Sequence, residues 1–196
     1  MRNIISFFCV YTSDSSVRRN VGAFFGIFIN SFYILINLIW GIKHLNVWFI
    51  TVAVYHLLIL FMRYFSIDTS GAEGRGELVG ALMTVLSIPI TGMIAYTVLT
   101  SSARGYPKSS LPVFAGYAIF SIFRAVYGLL SVRRDGAPSL RATHSIRLSL
   151  ALMSLFNLQT SLFAFLKFDS QLAVFFNFLT GGAASISVLA LARQRL

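Results

Sequence analysis

The sequence predicts an all-α integral membrane protein that crosses the bilayer with six helices. Three observations predict this fold: the composition, the length of the apolar runs and the sorting of the basic residues. Apolar residues make up 57% of the 196 positions and charged residues only 11%, whereas about a quarter of an ordinary soluble domain is charged. With a mean hydropathy of +0.77, most of the apolar surface must face lipid rather than water.

The apolar residues fall in runs of about twenty, the length of helix that crosses a hydrocarbon layer of roughly 30 Å. Short polar segments with glycine, proline or charge separate these runs and predict loops. The segment 132–145 is the most basic of these predicted loops. The six predicted spans cover residues 21–42, 46–67, 78–100, 111–131, 146–166 and 171–192.

The basic residues test this assignment, because lysine and arginine accumulate in cytoplasmic loops of membrane proteins. Alternate assignment of the segments to the two sides gives twelve basic residues on one side and four on the other. The first side is therefore predicted to be cytoplasmic, with both termini on it. It carries Arg2, Arg18, Arg19, Arg63, Arg75, Arg124, Arg133, Arg134, Arg141, Arg147, Arg193 and Arg195, and the other side carries Lys43, Arg104, Lys108 and Lys167.

Two parts are predicted along the chain. Residues 1–20 form a cytoplasmic, interfacial N-terminal segment, in which residues 3–11 lie as a short helix on the membrane surface. Residues 21–196 form a single six-helix transmembrane domain. Residues 32–43 and 123–134 resemble each other weakly, and related halves would form a three-plus-three inverted repeat of the kind found in many transporters. Chance similarity between apolar helices is the alternative.

Several classes of function are disfavoured by the sequence. Cys9 is the only cysteine, so an intrachain disulfide, a cysteine-based zinc site and an iron–sulfur cluster are excluded. The three histidines, His44, His56 and His144, lie at different predicted depths, so no shared metal site is expected. No zinc-protease, nucleophile-elbow or phosphate-loop motif is present. We therefore predict no catalytic residue, no metal, no cofactor and no nucleic-acid partner.

Polar side chains inside the hydrocarbon are costly, so they mark candidate functional positions. Asn30 and Asn37 are two helical turns apart on one face of the first span, together with Gly26 and Tyr33, and this face should point into the bundle. The polar residues of the other spans could line a cavity near the membrane midplane. The candidate ligand-binding residues are Asn30, Asn37, His56, Arg124, Asn157, Gln159, Thr160 and Asn177.

Each candidate also has a structural interpretation. Asparagine, serine and threonine often join membrane helices by hydrogen bonds, and Arg63 and Arg147 are close enough to a span end to anchor at the headgroups. Arg124 lies about 10 Å from the end of its span by helical rise, so its guanidinium group needs an acceptor there. The acidic residues all fall in loops or at the interface, which favours an anionic or neutral solute over a cation.

Two resemblances agree with this topology. The second half, from Tyr117-Ala-Ile-Phe-Ser-Ile-Phe-Arg124 through Ser149-Leu-Ala-Leu-Met-Ser-Leu-Phe-Asn-Leu-Gln-Thr-Ser161 to Leu179-Thr-Gly-Gly182, resembles a group of six-span proteins from Gram-positive anaerobic bacteria that has no assigned substrate. The size and span number are similar to those of the substrate-binding subunits of energy-coupling-factor vitamin transporters, which is an analogy of architecture alone.

These observations predict a multi-pass protein of the cell membrane that acts as a transport component for a small anionic or neutral polar solute. Its expected partners are the bilayer, that solute, and membrane or ATPase subunits of a larger system. The alternatives are a non-transporting binding or assembly subunit and, third, an intramembrane lipid-modifying enzyme.

Overall fold

The protein is described by a computed structural model, which covers residues 15–67, 75–99, 110–135 and 138–193. These residues form six α-helices and no strand. All six are long and apolar enough to cross a membrane, which confirms the predicted all-α polytopic membrane fold. The helices are α1 (Ser15–Lys43), α2 (Val47–Ile67), α3 (Arg75–Leu99), α4 (Ser110–Asp135), α5 (Pro138–Phe165) and α6 (Ser170–Arg193).

Two predicted boundaries differ from the structure at the basic end. The prediction of a loop over residues 132–145 is wrong, because α4 continues to Asp135 and α5 begins at Pro138. Arginine is a good helix former and proline is favoured in the first helical turn, so both helices extend beyond the apolar runs. Residues 15–20, assigned to the N-terminal segment, are the first turns of α1. The predicted surface helix 3–11 lies outside the described residues.

The turn between α1 and α2 is closed by its own backbone and by one side chain. The backbone N–H of Asn46 donates to the carbonyl of Gly41 at 2.9 Å, and Leu45 takes the left-handed conformation at φ 46°. The Asn46 side chain then accepts the backbone N–H of Trp48 at 3.0 Å, which is the usual helix N-cap bond. This tight turn holds α1 and α2 antiparallel and in register.

Helices α2 and α5 form the centre of the bundle, since half of each span is buried against about a third or less in the others. The main packed pairs are α1 with α2, α2 with α3, α4 with α5, α5 with α6, α3 with α6 and α2 with α5. Exchange of the first three helices with the last three leaves these six pairs unchanged, but a weaker contact of α3 with α5 has no equally extensive counterpart between α6 and α2. A three-plus-three repeat requires such pairing, and the repeat and the orientation in the membrane stay predictions.

Close packing of α6 depends on Gly181. A Cβ added at this position would lie 2.5 Å from a side-chain carbon of Ile94 on α3 and 3.0 Å from the Phe156 ring on α5, whereas one at Gly182 would contact nothing. Gly181→Ala should therefore destabilise the bundle relative to Gly182→Ala by about 1–3 kcal/mol, the usual cost of overpacking. Unfolding by denaturing detergent in mixed micelles measures the difference, and equal stability of the two variants would contradict it.

Candidate functional site

The first polar cluster joins α1, α2 and α4 near the middle of the bundle. The Asn30 side chain donates to the backbone carbonyl of His56 at 3.0 Å, and its Oδ1 lies 2.9 Å from His56 Nδ1. The Tyr117 hydroxyl donates to the same Oδ1 at 2.7 Å. Because this oxygen only accepts, His56 carries its proton on Nδ1. Asn30 and His56 are fully buried and Tyr117 nearly so, so this network is closed to solvent.

A second cluster continues toward the opposite end of the bundle. The Asn157 side chain donates to the Tyr33 hydroxyl at 2.7 Å and accepts the indole N–H of Trp48 at 2.8 Å. The rings of Tyr33 and Tyr117 stack with centroids 3.8 Å apart and planes at 14°. This stack joins the second cluster to the network around Asn30. Trp48 is 1% exposed, so it is part of the bundle interior and not of an interfacial aromatic belt.

Four further candidate residues lie in two other places: Asn37 on α1, and Gln159, Thr160 and Asn177 between α5 and α6. Asn37 is buried on the same face as Asn30, as the spacing predicts, but it donates only to the carbonyl of Tyr33 in its own helix at 2.8 Å. Gln159 donates to Asn177 Oδ1 at 3.3 Å, and Thr160 donates to the same atom at 3.3 Å. These three residues form a separate cluster between α5 and α6.

A cluster of cationic side chains lies toward the end where α2 and α4 terminate, called here the arginine-rich end. Arg63 on α2 is only 9% exposed, and its Nη1 donates to the Gly26 carbonyl at 2.9 Å. Arg124 on α4 packs its guanidinium group against Gly26, where any Cβ would overlap it, and lies 5.6 Å from the centroid of the Phe120 ring. Arg147 on α5 is half-buried. We name Arg63, Arg124 and Arg147 the arginine cluster.

Among the described side chains, no acidic group compensates the arginine cluster. The guanidinium groups of Arg63 and Arg147 both repel that of Arg124. The other described electrostatic neighbours of the cluster are tyrosines and the histidines His56 and His144, with no carboxylate among them. Arg63 Nη2 and Arg124 Nη1 are buried and have no hydrogen-bond partner in the described part of the chain. Because unpaired buried donors and cations are costly, this arrangement calls for an anion.

Sequence reasoning missed most of this cluster. Arg124 was singled out by its depth, but Arg63 was predicted to anchor at the headgroups, and this is wrong, since its side chain turns inward to Gly26. The signal was present in the seven-residue spacing of His56 and Arg63, which puts both on one face of α2. Gly26 is predicted only to share the inward face of α1, whereas in the structure it provides the carbonyl that Arg63 binds and the open surface that the Arg124 guanidinium occupies.

Two further features bear on the chemistry. In the residues with described side chains, no three histidine, cysteine or acidic groups come together to hold a metal ion. On the outer surface of α1 and α2, a depression of about 330 Å³ is lined by Ile27, Leu60, Phe61 and Tyr64. These lining side chains are apolar apart from one phenol, so the depression suits a hydrocarbon chain rather than a polar solute.

The fold and this site define a polytopic α-helical membrane protein with a closed polar interior and an arginine cluster that no described acidic side chain neutralises. No protein-family model, no curated protein and no solved structure matches the chain. The resemblance to six-span proteins of Gram-positive anaerobic bacteria therefore stays a prediction.

Proposed function

We propose that the protein is a transport component of the cell membrane that takes a small anionic solute, and that the arginine cluster is its solute site. One observation carries the proposal: a column of buried polar side chains follows the inner faces of four helices and ends at guanidinium groups that have no counter-charge among the described side chains. A column of this kind is expensive to build inside a membrane protein, because each member must be hydrogen-bonded away from water.

Helical spacing shows how the column is continuous. Arg124 and Tyr117 are seven residues apart on α4, and Arg63 and His56 are seven apart on α2, so each pair shares a face across about 10 Å of helical rise. On α1, Gly26 lies one turn from Asn30. The arginine cluster and the Asn30 network are therefore neighbouring levels of the same inner seam, and the Tyr33–Tyr117 stack extends it to Asn157.

The positive charge of the arginine cluster favours an anionic solute. Three guanidinium groups without an acidic neighbour in the described region disfavour a cation by direct repulsion. Arginine presents a planar fork of N–H donors that matches the oxygens of carboxylates and phosphates. The two unpartnered buried nitrogens, Arg63 Nη2 and Arg124 Nη1, are donors available to such a group. An anionic solute is thus favoured over the neutral one that the sequence left open.

The closed network next to the cluster fits the barrier that alternating access needs. Asn30, His56 and Asn157 have no exposed surface, so a solute at the arginine cluster is separated from the opposite end. Transport would require the Asn30–Tyr117 and Asn157–Tyr33 bonds to break together when the two halves of the bundle move. The pairing of Asn30, Tyr117, Asn157 and Tyr33 with one another across helices is also the observation that favours the second candidate, a binding or assembly subunit that does not transport.

Arg124→Gln should abolish most uptake of labelled anions by proteoliposomes. Loss of one hydrogen bond to a charged group costs about 1.5–3 kcal/mol, which corresponds to a fall of roughly 10- to 100-fold in the affinity that drives uptake. Counterflow with phosphate, sulfate and small carboxylates on both sides is the measurement, because it needs no external energy source.

Arg193→Gln is the matched control, since Arg193 is an exposed arginine in the last turn of α6 and its loss should leave uptake near that of the native protein. Anion binding without uptake would favour the non-transporting subunit. Absence of both binding and uptake for every anion would refute the proposed function.

A further inference from the structure

We infer that the arginine cluster binds a phosphate group in preference to a carboxylate, an inference that rests on the proposed anion site and narrows its substrate class. The larger negative charge of a phosphate group favours it at this site. A phosphate monoester carries about −1.5 to −2 at neutral pH and presents three acceptor oxygens, whereas a carboxylate carries a single charge on two oxygens in one plane. Three guanidinium groups that repel one another are better neutralised by the phosphate.

The directions from which the arginine donors come also favour phosphate. Arg63, Arg124 and Arg147 extend from three different helices, α2, α4 and α5. Donors on three sides suit the tetrahedral arrangement of phosphate oxygens, whereas one planar carboxylate is satisfied by a single guanidinium fork. The Arg63 side chain is already oriented by its bond to Gly26, so its second terminal nitrogen is held in place for a ligand at small entropic cost.

Glycine lies beneath two of the three arginines. The Arg124 guanidinium occupies the space that a Cβ at Gly26 would fill, and a Cβ at Gly128 would lie 3.1 Å from a terminal nitrogen of Arg147. Side chains at these positions would displace the charged groups without removing any charge. The two glycines therefore provide a means to test position separately from net charge.

Phosphate from either of two sources would enter through the seam between α1 and α4, and the side chains that bury the two unpartnered nitrogens would have to move aside. Helices α1 and α4 are not a main packed pair, and they meet through side chains, including the Phe25 and Phe120 rings at 6.0 Å. Arg124 lies in this seam, where its side chain is partly exposed while its Nη1 is buried. A free phosphate and the phosphate headgroup of a lipid share the chemistry that the cluster recognises, so both are probes in the test.

The test is direct binding to the full chain in nonionic detergent at constant ionic strength, measured by calorimetry. The probes are inorganic phosphate, dioctanoyl phosphatidic acid and malonate, which carries two negative charges on planar carboxylates. Dioctanoylglycerol is the lipid without phosphate. We expect one of the two phosphate probes to bind at least about tenfold more tightly than malonate, equivalent to about 1.4 kcal/mol, and dioctanoylglycerol not to bind.

Gly26→Ala should weaken phosphate binding about tenfold or more, because it displaces the Arg124 guanidinium while every charge is retained. Gly22→Ala is the matched control on the same helix, since a Cβ there contacts nothing, and it should bind as the native protein does. Tighter binding of phosphatidic acid than of inorganic phosphate would support the inference with a lipid as the source, and the reverse order would support it with a soluble phosphate.

Three results would overturn the inference. Malonate that binds as tightly as both phosphate probes would contradict the phosphate preference and leave the proposed anion transport standing. Unchanged phosphate binding by Gly26→Ala, with the protein folded, would mean that phosphate binds elsewhere. Failure of the native protein to bind any of the three anions would overturn both the inference and the proposed function.

Discussion

Asn30→Leu is expected to lower the free energy of unfolding by about 2–4 kcal/mol, the largest effect of any single polar replacement in the described core. The substitution removes the acceptor of the Tyr117 hydroxyl and of His56 Nδ1, and the donor to the His56 carbonyl. Each buried group left without a partner costs about 1–3 kcal/mol. Polar groups in membrane proteins find other partners and recover part of this cost. The expected loss of stability is therefore smaller than the sum of the costs for the three groups.

Asn37→Leu is the matched control, because Asn37 is also fully buried on α1 and leucine introduces the same shape change. Asn37 makes one hydrogen bond within its own helix, and its Oδ1 has no partner among the described residues. Its replacement should cost less than about 1 kcal/mol. Reversible unfolding in mixed micelles compares the two variants, and a loss at position 37 equal to that at position 30 would show that the network stabilises nothing.

The second large effect expected is that the difference in stability between Arg124→Gln and the native protein changes sign when an anion is added. Without anion, Arg124→Gln should be as stable as the native protein or up to about 2 kcal/mol more stable, because it removes an unpaired buried cation from a repelling set. With inorganic phosphate at one hundred times its Kd, the native protein should gain about 2.7 kcal/mol. The variant should gain almost nothing, so the native protein becomes the more stable of the two.

The same measurement with Arg193→Gln separates site binding from general screening. Phosphate also raises ionic strength, which weakens repulsion between exposed charges everywhere on the protein. Sodium chloride at matched ionic strength corrects for this, and Arg193→Gln should follow the native protein in both salts. An equal phosphate gain for Arg124→Gln and the native protein would contradict binding at the arginine cluster.

Much of the membrane fold was predictable from sequence because the bilayer imposes a length on each element. A helix must carry about twenty apolar residues to span the hydrocarbon, and this requirement is local, so six spans could be predicted without knowledge of any tertiary contact. Helical periodicity is local as well. It correctly predicted that Gly26, Asn30, Tyr33 and Asn37 share the buried face of α1.

Tertiary structure alone decided which buried polar residues are paired and which are not. Asn30 and Asn37 are alike in residue type, helix face and burial, yet only Asn30 is bonded to residues 26 and 87 positions away. Arg63 is near the end of a span, which predicts a headgroup anchor, but the carbonyl of Gly26 on the neighbouring helix turns it inward.

The sequence by itself therefore determined how many helices are long and apolar enough to cross a membrane and which face α1 buries, since both depend on the period and length of apolar runs. The arginine cluster was decided by the tertiary structure, because it assembles from three helices whose relative positions depend on packing between distant segments. A local sequence pattern does not specify the distances between helices. The same arginines at the same depths could each have reached water separately.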